Sequence, residues 1–233
     1  MTKKAEQLTF WDHLDELRQR LLKCLAAFLM GSLIFYPFLD SVLTFLIKPV
    51  GSLVFTNPAE AFVARITLTL FGGFILSLPL LLYQVWAFVA LGLTPTERKY
   101  LITFFPFSLM LFVGGGAFGY GIVVPLALRF FMSFASETLV PMITVSRYLS
   151  FVGSLVLTFG IIFELPLILF VLAKWGIATP AFLIQKRKHA IVILLIVSAV
   201  LTPPDVITML MMAIPLWLLY ELGILLVRFS SRK

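Results

Sequence analysis

From Ile66 to Thr96 the chain carries no charged residue, and Tyr100 to Leu128 repeats the pattern. Each run is longer than the ~20 residues that a membrane-spanning helix needs. Backbone placed in hydrocarbon must satisfy its own hydrogen bonds, which leaves only helices or closed barrels. A barrel would be written in short segments that alternate apolar and polar residues. These runs are long and unbroken. With 61% of its residues hydrophobic and 12% charged, against about 25% charged in soluble domains, the chain reads as an all-α integral membrane protein. No soluble domain, low-complexity tract or dividing linker interrupts it, so residues 1–233 read as a single membrane domain.

Six apolar segments can be drawn, at about 21–43, 61–90, 101–128, 148–173, 190–202 and 207–227. Six transmembrane helices place both termini on one side. Of the 18 basic residues, fourteen fall in the N-terminal tail, 91–100, 174–189 and the C-terminus. The other four are Lys48, Arg65, Arg129 and Arg147. Basic loops stay in the cytoplasm, so the N- and C-termini are both expected there. The net charge of +7 then reports topology and gives no reason to expect nucleic acid. The last two helices look short. Ala190 to Leu201 runs into Thr202-Pro203-Pro204-Asp205, where the missing amides and the restricted residue before Pro204 force a turn. Either tilt and snorkelling or local bilayer thinning could accommodate such a hairpin. The acids Glu6, Asp12, Asp15 and Glu16 ahead of the first apolar run argue against a cleavable leader, so the first span is expected to persist.

The stretch 9–20 reads as a cytoplasmic amphipathic helix, with Trp11, Leu14, Leu17 and Leu21 on one face. It should lie along the membrane surface and lead into the first span. Thr9 and Asp12 resemble a capping box. Asp12, Asp15, Glu16 and Gln19 occupy the opposite side. Glu16 is four residues from Arg20, the spacing of a helix-face ion pair worth ~0.2–0.5 kcal/mol; it is also an acid available to a cationic ligand. In Thr94-Pro95-Thr96-Glu97, Thr94 can cap, Pro95 suits the first helical position and Glu97 can reach back to the cap amide. Asn57-Pro58-Ala59-Glu60 repeats the device. Glu97 is equally able to receive a guanidinium in a two-pronged bond. Gly115 and Gly119 fit the spacing at which membrane helices approach closely.

Glu164 is the most unusual residue. It sits in FGIIFELPLILF, 159–170, where charge costs ~2.5–3.5 kcal/mol on insertion scales. Pro166 frees a carbonyl near Ile162 and kinks the helix. Glu164 can take a proton and bond such a carbonyl, bind an ion, or meet a polar group on another helix. Gln84 and Glu221 are further polar groups at or near membrane depth. The lone Cys24 permits no intrachain disulfide, and His13 and His189 are far apart in sequence, so no metal spacing is present. No phosphate loop, HExxH or Ser/His/Asp cluster appears, and neither an enzyme nor a cofactor is expected.

Several motifs coincide with one family. His13-Leu14-Asp15-Glu16-Leu17-Arg18-Gln19-Arg20, Tyr83-Gln84-Val85-Trp86-Ala87-Phe88, Glu97-Arg98-Lys99, Tyr148-Leu149-Ser150-Phe151, 159–166, 201–205 and Ala213-Ile214-Pro215 together resemble TatC, the polytopic receptor of the twin-arginine protein translocase. The resemblance runs in order from about residue 10 to 228. It implies a receptor for twin-arginine signal peptides on folded cargo, acting in the bacterial cytoplasmic membrane. It implies single-span TatA- and TatB-type partners, oligomeric assembly and transport driven by the proton-motive force. It assigns Glu16, Glu97, Phe88 and Arg18 to signal recognition. It assigns Glu164 to contacts with the partners, beside which Gln84 counts as a further intramembrane polar candidate, and marks Pro49 and Asp205 as functional positions on the far side. The lead-in Leu-Thr-Pro-Thr before Glu97 departs from the more basic or histidine-containing form of many relatives. The competing expectation is a proton- or ion-coupled small-solute transporter using Glu164, which would call for a repeat of the spans that the sequence does not display.

Overall fold

The structure is a computed structural model that describes residues 10–90, 95–136, 140–201 and 206–231. Among the described residues every regular element is helical. In chain order these are α1 (Phe10–Phe35), α2 (Leu39–Ile47), α3 (Pro58–Val89), α4 (Pro95–Phe118), α5 (Val124–Met132), α6 (Val145–Phe163), α7 (Leu165–Lys174), α8 (Pro180–Gln185), α9 (Arg187–Leu201) and α10 (Val206–Ser231). A 3₁₀ turn over Tyr36–Phe38 joins α1 to α2, and a π-helical stretch over Gly119–Val123 joins α4 to α5. The chain forms two compact units, Met1–Leu109 and Met110–Lys233, with the boundary inside α4.

Five stretches among the described residues are long and apolar enough to cross a membrane: Leu14–Ile47, Pro58–Val89, Phe104–Met132, Val145–Lys174 and Met212–Phe229. α9 is not among them. Its 15 residues span about 22 Å at the helical rise of ~1.5 Å per residue, short of the ~30 Å hydrocarbon core. The expected shortness therefore holds for α9. It does not hold for α10, which has 26 residues and is about 39 Å long. Arg228 lies in its last turn, where a cation is favoured by the helix dipole.

In the first unit α1 packs along α3. The contact is close because it is made of small residues. An added Cβ on Gly31 would come within 2.6 Å of the Gly73 carbonyl oxygen, and one on Gly73 would meet the backbone of Ser32. The amphipathic stretch and the first span form one uninterrupted helix, α1. Asn57 caps α3 by accepting from the Ala59 amide at 2.9 Å. Glu60 reaches one residue further back than a capping box requires, taking the Thr56 amide at 2.8 Å and its hydroxyl at 3.0 Å. Asp40 on α2 pairs with Arg65 on α3 at 2.9 Å. Thr9 and Thr94 lie outside the described residues.

In the second unit Gly115 lies against the Phe159 carbonyl and Phe163, and Gly119 against Leu155 and Phe159. Both glycines face α6, as the spacing predicts. The Phe118 ring sits 5.4 Å from Phe159 and 5.6 Å from Phe163. α10 packs on α7, α8 and α9 around a core of Ala178, Leu183, Leu194, Leu216, Tyr220, Ile224 and Val227. The Tyr220 hydroxyl donates to the Leu183 carbonyl at 2.9 Å. Thr179 caps α8 by accepting from the Phe182 amide at 3.2 Å.

Candidate functional site

One group of polar side chains in the first unit lies where α1 begins and α3 ends. Glu16 and Arg20 are one turn apart on α1, with Arg20 Nη2 2.5 Å from Glu16 Oε1. Arg20 Nη1 donates to Gln84 Oε1 on α3 at 3.0 Å. This bond fixes the antiparallel register of the two helices at this end. Gln84 thus has its partner within its own chain. Phe88 follows Gln84 by four residues, on the same face of α3, and is half-buried. Arg18 is exposed. α4 starts at Pro95, five residues beyond Ala90, so Glu97 in its first turn belongs to the same end of the unit. The Glu97 side chain is outside the described ones.

The Tyr83-Gln84-Val85-Trp86-Ala87-Phe88 motif explains itself in this frame. Trp86 Nε1 donates to the buried Ser108 hydroxyl on α4 at 2.8 Å. Tyr83 meets Phe105 of α4 edge-on, at 6.0 Å between ring centroids. Tyr83 and Trp86, three apart, hold α4, while Gln84 holds α1. Three residues of one turn therefore tie three helices together at the end that carries the acids. Sequence reasoning reached the Glu16–Arg20 pair from its spacing. It missed the bond to Gln84 and the role of Ser108, because contacts 64 and 22 residues apart leave no local signature.

In the second unit Glu164 occupies the junction of α6 and α7 and is 8% exposed. Its amide donates to the Ile161 carbonyl at 3.1 Å, a three-residue rather than four-residue step. Its own carbonyl accepts from Leu167 and Ile168 at 3.0 and 2.9 Å. Pro166 has no amide to donate, so the ladder breaks where the acid sits. Glu221, on α10, pairs with Arg187 at the start of α9 at 2.6 Å; it is a tie between helices. Pro49 is exposed in the turn after α2, where the Val50 and Gly51 amides donate to the Ile47 carbonyl at 2.9 and 3.0 Å. Asp205 lies outside the described residues. Among the described residues no group of three His, Cys, Asp or Glu is arranged to hold a metal.

Comparison with known proteins decides the family. The family model for Sec-independent protein translocase protein (TatC) matches residues 12–215. The chain belongs to the TatC family. It is 39% identical over 231 residues to the TatC of Carboxydothermus hydrogenoformans, covering 97% of this chain and 95% of that one. It is 40% identical over 230 residues to the TatC of Aquifex aeolicus, with 95% of each covered. A crystal structure described as the twin arginine translocase receptor TatC superposes with a TM-score of 0.81 at 40% identity, over 94% of this chain and 99% of that chain. TatC is a multi-pass membrane component of a protein translocase and is not an enzyme. Of the two functions the sequence left in contention, the translocase is the one that family membership supports.

Proposed function

We propose that this TatC-family chain receives twin-arginine signal peptides at the end of the first unit that carries Glu16, Arg18, Phe88 and Glu97. Two separated carboxylates suit two guanidiniums, each a planar fork able to bond both oxygens of an acid. Phe88, half-buried near the end of α3, offers apolar surface to the rest of the signal. The observation that carries this reading is the likeness to the solved twin arginine translocase receptor, at 40% identity and a TM-score of 0.81. The bonds of Arg20 to Glu16 and Gln84, which hold an acid near the start of α1, support the same reading.

The protein works, in this reading, in the bacterial cytoplasmic membrane as part of an oligomer with TatA- and TatB-type single-span proteins, using the proton-motive force. Glu164, buried at a break in the helix, is the polar point that those partners meet within the membrane. The five long apolar stretches and the short α9 make six crossings, with both termini in the cytoplasm. Pro49 and Asp205 then belong to the opposite face.

The test is crosslinking of a twin-arginine signal to the chain in membranes, with a twin-lysine control. Replacing both Glu16 and Glu97 by Gln should abolish arginine-dependent crosslinking. Unchanged crosslinking in the double variant rules the assignment out.

A further inference from the structure

Arg20 is bound on two sides. One nitrogen holds Glu16 Oε1 at 2.5 Å and the other donates to Gln84 Oε1 at 3.0 Å. Its side chain is 13% exposed, whereas that of Glu16 is 36% exposed. The guanidinium therefore lies deeper than the acid it neutralises. An acid proposed to receive a foreign arginine is already engaged by an arginine of its own chain. We infer that Arg20 is a resident competitor for Glu16, and that displacing it is what makes the site prefer arginine to lysine. The inference rests on the reading of Glu16 as a ligand-binding acid.

The two cations differ in how many bonds each can form to a carboxylate. A two-pronged guanidinium–carboxylate bond needs both carboxylate oxygens. While Arg20 holds Oε1, a second cation reaches only Oε2 and does so beside a like charge. An incoming arginine that takes both oxygens replaces one charge-assisted bond with two. The displaced Arg20 keeps Gln84, so it is not stranded. An incoming lysine has a compact, strongly hydrated ammonium and no planar fork. It would trade one charge-assisted bond for another and lose hydration. Discrimination then comes from an element built against the wrong ligand as much as from attraction to the right one. Without Arg20 the carboxylate stands open to either cation.

The experiment uses the full chain in membrane vesicles, with twin-arginine and twin-lysine signal peptides carrying the same photocrosslinker. In Arg20→Gln both peptides should crosslink more strongly and the lysine form should gain most. The arginine-to-lysine ratio should fall by at least about tenfold, the low end of the value in affinity of one charge-assisted hydrogen bond. Arg20→Lys, which keeps the charge but loses the planar fork, should lower the ratio by less. An unchanged ratio in Arg20→Gln overturns the inference. So does loss of both peptides from a variant that still accumulates normally, since Arg20 would then only support Glu16. If Arg20→Gln fails to accumulate, an unchanged ratio in Arg20→Lys overturns it. Failure of the functional reading is separate and visible in the parent chain, which would then show no preference between the two peptides.

Discussion

Trp86 and Ser108 show how much a single polar contact can carry in this protein. Ser108 is fully buried and its hydroxyl accepts the Trp86 indole N–H at 2.8 Å. Ser108→Ala removes the acceptor and leaves a buried donor unsatisfied, a cost of about 1–3 kcal/mol. The purified variant should melt at a lower temperature than the parent, and an unchanged melting temperature would show that the bond contributes nothing. Glu164 is the acid buried at the α6–α7 break, proposed above as the point that the single-span partners meet. Glu164→Ala should therefore reduce copurification of the single-span partners more than it reduces signal crosslinking. Normal copurification of those partners counts against the assignment.

Among the elements, the glycine-rich end of α4 separates packing from propensity. Nothing lies near a Cβ added at Gly114, whereas one at Gly115 would strike the Phe159 carbonyl and the Phe163 side chain. Gly114→Ala should be stabilising by about 0.5–1 kcal/mol, from the lower conformational entropy of the unfolded chain and better helix propensity. Gly115→Ala should be destabilising by about 1–3 kcal/mol through overpacking against α6. Thermal unfolding of the two neighbours in one detergent checks both signs, and equal shifts would show that α4 does not approach α6 at this point. The elements were also the most legible level of the sequence. Uncharged runs mark α3 and the α4–α5 stretch because hydrocarbon admits little else. Gly115 and Gly119 were readable from their spacing, and α9 from the prolines that follow it. The length of α10 was not, since the apolar run 207–227 marks the part that suits lipid and not the turns that extend the helix beyond it. The Glu60 bonds to Thr56 depend on how the loop backbone turns, which spacing does not specify. At the candidate site, the one-turn pair of Glu16 and Arg20 was legible, and its anchor on Gln84 appeared only once α1 and α3 were packed.

For the molecule as a whole, the decisive property is which side each loop occupies. Fourteen of the 18 basic residues lie in the segments assigned to one side, leaving only Lys48, Arg65, Arg129 and Arg147 for the other. An asymmetry of this kind orients short loops with the basic set in the cytoplasm. The fold makes the consequence easy to probe. Cys24 is the sole cysteine, so Cys24→Ser provides a background into which single cysteines can be placed. Ser52, exposed between α2 and α3, and Gln185, exposed at the end of α8, fall on opposite sides in the proposed topology. Ser52→Cys should react with a membrane-impermeant maleimide in spheroplasts, and Gln185→Cys only after permeabilisation. The result also fixes the status of α9. Gln185 precedes α9 and Arg228 follows two helices later, so both share a side only if α9 crosses despite its ~22 Å length. A single cysteine at Phe229, exposed in the last turn of α10, should therefore be protected like Gln185→Cys. Reaction of that position from outside would mean that α9 turns back within the membrane, leaving five crossings and a C-terminus on the far face.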